Sequence, residues 1–74
     1  MQSDEVKLRF GKGLAHWRRF RELSQGELAR RTKISRSHIG AVERGEANPT
    51  LCQMSRLAQA LGVTLAGVCS EGRL

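Results

Sequence analysis

The stretch LSQGELARRTKISRSHIGAVERG, Leu23 to Gly45, predicts two short helices joined by a tight turn. Apolar residues recur at helical spacing in each half, and only Thr32-Lys33-Ile34 separates the halves. An isolated helix shorter than roughly 12 residues is marginally stable in water, so both helices must pack against other parts of the chain. Two helices joined by a turn of about three or four residues form a helix-turn-helix.

Polar residues mark the ends of these two helices. Ser24, followed three residues later by Glu27, has the capping-box pattern in which each side chain bonds the backbone N–H of the other. The first helix is therefore predicted from Ser24 to about Thr32. The second is predicted from Ser35, its N-cap, to about Arg44, and the glycine that follows can adopt the left-handed conformation that ends a helix.

Three further helices are predicted around this pair. They run from about Asp4 to Glu22, from Leu51 to about Leu61, and from Leu65 to about Cys69. Thr50, followed three residues later by Gln53, has the capping-box pattern a second time, at the start of the helix from Leu51. The terminal SEGRL is expected to be loose. The apolar residues expected to form the core are Leu8, Phe10, Leu14, Trp17, Leu28, Ala29, Ile34, Ile39, Val42, Leu51, Met54, Leu57, Ala58 and Leu61.

No segment has the alternation of a strand, so the sequence predicts an all-α fold, a compact five-helix bundle in a single domain over residues 1–74. The core is expected to span about residues 6–69, with helices 2 and 3 forming the helix-turn-helix. Gly11 and Gly13 each cost a helix interior roughly 1 kcal/mol relative to Ala. They indicate that the first helix frays there or passes close to another backbone.

The net charge of +6 lies entirely in the first half of the chain. Residues 1–36 contain ten basic and four acidic side chains, whereas residues 37–74 contain three of each. This asymmetry is typical of a surface that faces an anion such as nucleic acid. The alternative is a basic surface that has no partner.

Other classes of protein find little support. No apolar run is long enough to cross a bilayer and no signal peptide is visible, so we expect a cytoplasmic location. Cys52 and Cys69 are expected to be reduced and partly buried, and a metal site would need histidines at unsuitable spacings. No cofactor motif, nucleophile with a base, or carboxylate pair appears, so we do not expect an enzyme.

Several segments in register resemble the Cro/C1-type (Xre family) helix-turn-helix domain of the lambdoid phage repressors and restriction–modification controller proteins. The resemblance covers about residues 8–68. The matching pieces are Ser24-Gln25, Leu28-Ala29, Ile39 with Val42, Glu43-Arg44-Gly45, Asn48-Pro49-Thr50, Leu57-Ala58 and Leu61-Gly62-Val63. It implies a bacterial or phage-encoded, nucleoid-associated regulator that binds double-stranded DNA as a homodimer, with helix 3 in the major groove of a palindromic operator.

Two positions depart from the family pattern. Members usually have glycine where this chain has Glu22 and Lys33. A left-handed conformation at Lys33 is expected to cost about 1 kcal/mol.

The outward face of helix 3 is expected to contact bases through Arg36, Ser37, His38, Gly40 and Ala41. Arg36 can donate two hydrogen bonds to a guanine edge, neutral His38 can donate to a base or phosphate, and Ala41 can pack on a thymine methyl group. The resemblance supports base contacts at Arg36 and Ser37. Gly40 and Ala41 are expected to leave the middle of this face bare, and the alternative is that they are small for helix packing.

The residues expected to contact phosphates are Ser24, Gln25, Lys33 and Arg44. The resemblance also implies an ion pair between Arg18 and Glu43 that fixes helix 1 against helix 3. The dimer contact is expected to involve the last helix, through Leu65, Val68 and Leu74. A second hypothesis stays open: a protein-interaction module, such as an antitoxin that covers a toxin, with DNA binding secondary.

Overall fold

The computed structural model describes residues 3–72, which form five helices and no strand. The helices are α1 (Ser3–Phe20), α2 (Gln25–Thr32), α3 (Arg36–Glu43), α4 (Leu51–Leu61) and α5 (Leu65–Glu71). The all-α prediction and the placement of the helix-turn-helix in α2 and α3 are confirmed. Leu74 lies outside the described residues, as do the other chain-terminal positions.

The two capping boxes have the predicted hydrogen bonds. Ser24 Oγ accepts the backbone N–H of Glu27, whose carboxylate accepts the Ser24 N–H at 2.9 Å. That backbone hydrogen bond is the main reason why the pKa of Glu27 is lowered. Thr50 and Gln53 form the same reciprocal pair at the start of α4.

A residue with the left-handed backbone conformation follows each of the helices α1 to α4, and two of these four residues are not glycine. Gly45 and Gly62 have φ values of 75° and 72° after α3 and α4. Glu22 and Lys33 adopt nearly the same conformation, with φ of 57° and 63°. At both positions the chain accepts a strain of about 1 kcal/mol or more that glycine would not have.

The core lies where α1 crosses the other helices. Its largest buried side chains are Phe10, Leu14, Leu28, Ile39, Val42, Leu57 and Val68. Trp17 is half-buried, and its indole N–H donates to the carbonyl oxygen of Gly67 in α5. Arg21, which directly follows α1, donates through Nε to the Leu61 carbonyl oxygen at the end of α4, so Trp17 and Arg21 bond the backbones of two neighbouring helices.

Five sequence predictions about burial and helix ends are wrong. Leu8 is 42% exposed and Leu51 is 68% exposed, so neither belongs to the core. Cys52 is exposed at the start of α4, whereas Cys69 is half-buried as expected. The first helix ends at Phe20 because the next two residues form a turn, and α5 continues to Glu71.

The glycines of α1 lie against other backbones. A methyl group at Gly11 would overlap the carbonyl oxygen of Val42 in α3, and one at Gly13 would overlap that of Val68 in α5. The close approach of another backbone, one of the two expectations for these glycines, is therefore present. The absence of side chains at Gly11 and Gly13 lets the backbones of α3 and α5 contact the backbone of α1.

Gly13→Ala should lower the free energy of unfolding by roughly 1–3 kcal/mol, because the added methyl group meets a carbonyl oxygen that cannot rotate away. Gly26→Ala is the matched control. Its added methyl group would lie 3.8 Å from Ser24 Oγ, its nearest neighbour, so it should raise stability by up to about 1 kcal/mol through helix propensity. Urea unfolding measures both; equal effects would contradict the packing explanation.

Candidate nucleic-acid interface

The inner face of α3 is fixed by two buried apolar residues. Ile39 is 0% and Val42 1% exposed, and both belong to the hydrophobic core. The opposite side of the helix therefore faces away from the protein. Arg36 and Ser37 are exposed in its first turn, and Ala41 is half-buried one turn later.

An ion pair joins α1 to the end of α3. Arg18 Nε donates to Glu43 Oε2 at 2.7 Å, and Arg18 Nη2 donates to Glu43 Oε1 at 3.1 Å. The third nitrogen, Nη1, donates to the carbonyl oxygen of Leu23 at 2.9 Å, just before α2. The two charged side chains are only 12% and 7% exposed. One guanidinium thus connects α1, α3 and the entry to α2 in a bidentate geometry.

The electrostatics of this pair favour the charged state of the arginine. The hydrogen bonds to Glu43 raise the pKa of Arg18 above its ordinary value, burial opposes this, and the negative charge of Glu43 adds to the increase. The contact with Glu43 therefore stabilises the protonated guanidinium of Arg18.

Gln25 is connected to the same ion pair. Its amide nitrogen donates to Glu43 Oε1 at 2.9 Å, so one carboxylate oxygen accepts from both Gln25 and Arg18. The amide nitrogen predicted to hold a phosphate is thus engaged within the protein, while Ser24 is engaged in the cap of α2. Phosphate contacts at Ser24 and Gln25 stay predictions.

Gly40 does not lie on the open face that the sequence analysis expected. It is buried, and a methyl group added there would lie 3.2 Å from Arg44 Nη1 and 3.7 Å from Gln25 Oε1. These two side chains cover it, so the expectation that the middle of this face is bare is wrong for Gly40. Its small size provides room for the glutamine that contacts Glu43.

The remaining predicted cations lie around this face. Lys33 is exposed in the turn between α2 and α3, and Arg44 is exposed after α3, where its Nε donates to Glu46 at 3.0 Å. Arg30 and Arg31 are exposed at the end of α2. The start of α3 and the end of α2 thus present positive charge to solvent together.

His38 is half-buried and contacts a residue that the sequence analysis did not assign to the site. Its Nε2 lies 3.3 Å from Oε1 of Gln53 in α4. The capping-box motif identified Gln53 as the N3 residue of α4, but its contact with α3 depends on tertiary structure.

The described residues contain neither a candidate metal site nor a candidate membrane-spanning helix. Residues 3–72 contain no group of three or more histidine, cysteine, aspartate or glutamate side chains that could hold a metal ion. No helix in the same range is long and apolar enough to cross a membrane.

Comparison with known protein families also identifies a helix-turn-helix in this chain. The HTH_3 helix-turn-helix family matches residues 17–68, which include α2, α3 and α4 and the ion pair between α1 and α3. The chain belongs to this family. Its members are transcription regulators of the Cro/C1 type that bind double-stranded DNA.

Three relatives show how far the similarity extends. An uncharacterized HTH-type transcriptional regulator of Sinorhizobium fredii is 41% identical over 54 residues, covering 73% of this chain and 70% of that protein. The control protein C.MunI of a Mycoplasma species is 29% identical over 69 residues, covering 92% and 93%. The crystal structure of the restriction-modification controller protein C.AhdI from Aeromonas hydrophila has a TM-score of 0.79 at 37% identity, covering 90% of this chain and 98% of that one.

Removing one partner of the ion pair of this HTH_3 protein should be costly. Glu43→Ala leaves the largely buried Arg18 without its carboxylate and deprives Gln25 of its acceptor, so the free energy of unfolding should fall by about 3 kcal/mol.

Glu46→Ala is the matched control for this substitution. It breaks the pair between Arg44 and Glu46, whose side chains are 60% and 62% exposed, and should cost less than about 1 kcal/mol. Thermal unfolding of both variants tests the comparison. Equal losses would show that burial does not strengthen the pair.

Proposed function

We propose that this protein is a sequence-specific transcription regulator that binds a palindromic operator as a homodimer, with α3 in the major groove. The observation that carries the proposal is the orientation of α3. Ile39 and Val42 are locked into the core while Arg36 and Ser37 are exposed at the N-terminal end, the part of a recognition helix that contacts base edges.

The supporting cations fit a positioning role. Lys33 and Arg44 flank α3 at its two ends, and Arg30 and Arg31 extend the positive surface along α2. Phosphate contacts from such residues set orientation and register, whereas base contacts set sequence preference. We assign Arg36 to a guanine, through two parallel hydrogen bonds to O6 and N7, Ser37 to an adjacent base, and Ala41 to a thymine methyl group.

The surface of α4 and α5 supports self-association. Residues 57–70 contain no charged side chain in a chain whose net charge is +6. An open groove of about 230 Å³ lies there, lined by Ser55, Ala58, Gln59, Val63, Thr64 and Leu65. Two copies of a cationic chain repel each other least where neither is charged, so we assign the dimer contact to this neutral face.

The assignment changes one expectation about the last helix. Val68 is fully buried in the core, so it is not available to a second copy. Leu65 is half-buried and lines the groove, so it remains a candidate contact.

Selection of binding sites from random duplex DNA tests whether α3 recognises a base sequence through Arg36. At about 150 mM salt, which suppresses counterion-driven binding, wild type should enrich a palindrome. Arg36→Ala should relax the preference at one symmetric pair of positions, at a cost of about 1–3 kcal/mol in discrimination. If the Arg36→Ala variant selects the same consensus sequence as wild type, Arg36 does not contact a base. No enrichment by wild type would favour the protein-interaction module instead.

A charge placed on the neutral face should weaken the dimer. Gln59→Lys puts two like charges near each other across the proposed contact and should raise the dimer dissociation constant about fivefold or more at low salt. Asn48→Lys adds the same charge at an exposed position between α3 and α4 and should leave the constant unchanged. Sedimentation equilibrium without DNA measures the dimer dissociation constants of both variants. Equal changes in the two constants would mean that the dimer contact lies elsewhere on the protein.

A further inference from the structure

Gln53 joins the start of α4 to the candidate recognition helix. Its side-chain oxygen accepts the backbone N–H of Thr50 at 2.9 Å, and it lies 3.3 Å from His38 Nε2. His38 is the third residue of α3, and its backbone N–H donates to the Ser35 hydroxyl. The imidazole thus contacts α4 through Gln53, while the backbone of His38 is bonded to the N-cap of its own helix.

The contact fixes which ring nitrogen carries the proton. The atom of Gln53 that meets Thr50 N–H must be the amide oxygen, because the NH₂ group would place two donors against each other. That same oxygen faces His38 Nε2, so Nε2 must donate. A neutral His38 therefore carries its proton on Nε2 and keeps a lone pair on Nδ1.

We propose that Gln53 is a positioning residue that makes neutral His38 a hydrogen-bond acceptor for a base. With its donor committed to Gln53, His38 can accept through Nδ1 from the amino group of cytosine (N4) or of adenine (N6) in the major groove. A phosphate oxygen is itself an acceptor and does not suit this nitrogen. This reverses the sequence expectation that neutral His38 donates to DNA.

The inference rests on the proposed function for its DNA part, but its first step concerns the free protein alone. Gln53→Leu removes the acceptor and also one bond of the capping box of α4. Glu27→Leu is the matched control, because it removes the equivalent bond of the α2 box and has no hydrogen bond to His38.

Nuclear magnetic resonance tests the tautomer. The chain has two histidines, so a His16→Gln background leaves only the signals of His38. Two-bond proton–nitrogen correlation at pH 8.5 should show the proton on Nε2 in that background. The ratio of the two tautomers should fall about fivefold in Gln53→Leu, remain unchanged in Glu27→Leu, and be retained in Gln53→Glu, which keeps an acceptor. A proton on Nδ1, or an unchanged ratio in Gln53→Leu, would overturn the inference.

Base analogues test the acceptor role. Comparison of His38→Ala with wild type in the duplex selection identifies the position that His38 reads. Replacing the amino group at that position by hydrogen, with 2-pyrimidinone for cytosine or purine for adenine, should weaken wild-type binding about twofold to tenfold and leave His38→Ala unaffected. Replacing the purine N7 of the same base pair by carbon should have no effect on either protein.

The outcomes separate the two proposals. Weakening by the N7 replacement rather than by loss of the amino group would mean that His38 donates, and the inference would be wrong. A selection in which His38→Ala changes no position would also overturn it. If wild type enriches no sequence, the proposed function fails, while the tautomer experiment still decides whether Gln53 orients His38.

Discussion

The arrangement of the helix-turn-helix depends on the charged contact between Arg18 and Glu43. The guanidinium uses all three nitrogens, two on the carboxylate and one on the Leu23 carbonyl oxygen, so a single side chain sets the position of α3 and of the start of α2 relative to α1. Gln25 closes the network from the α2 side. Two helices of eight residues each are too short to hold such a geometry alone.

The glycines of α1 make that contact possible. Because neither Gly11 nor Gly13 has a side chain, α3 and α5 approach α1 at backbone distance on two of its sides. Arg18 then lies within reach of Glu43, with hydrogen bonds of 2.7 and 3.1 Å, and Trp17 lies within reach of the Gly67 carbonyl oxygen. Glycine lowers the helix propensity of α1, and tertiary contacts compensate for that loss.

The sequence predicted what local rules govern. Capping boxes gave the starts of α2 and α4, and helical periodicity placed Ile39 and Val42 inward. Prediction from the sequence failed where the burial of a side chain depends on residues far away in the chain. Leu51 fits the apolar stripe of α4, yet it is the first residue of that helix and its side chain is exposed.

The same limit applies to the candidate interface. Gly40 was expected on the outward face of α3, but the side chains of Gln25 and Arg44 lie over it. The contact between His38 and Gln53 joins residues 15 positions apart, so no local pattern could indicate it. The relation between Arg18 and Glu43 came from a family resemblance rather than from spacing, since 25 residues separate them.

The two outer surfaces of the protein differ in how they respond to their ionic surroundings. Around α2 and α3 the exposed arginines and Lys33 create a field that dissolved ions screen within about 8 Å at physiological ionic strength. Residues 57–70, which include most of α4 and α5, contribute no charged side chain of their own to such a field. A higher salt concentration would therefore weaken the attraction of the α2 and α3 surface to a polyanion without weakening apolar contacts made by residues 57–70, so salt acts more strongly on one surface of the protein than on the other.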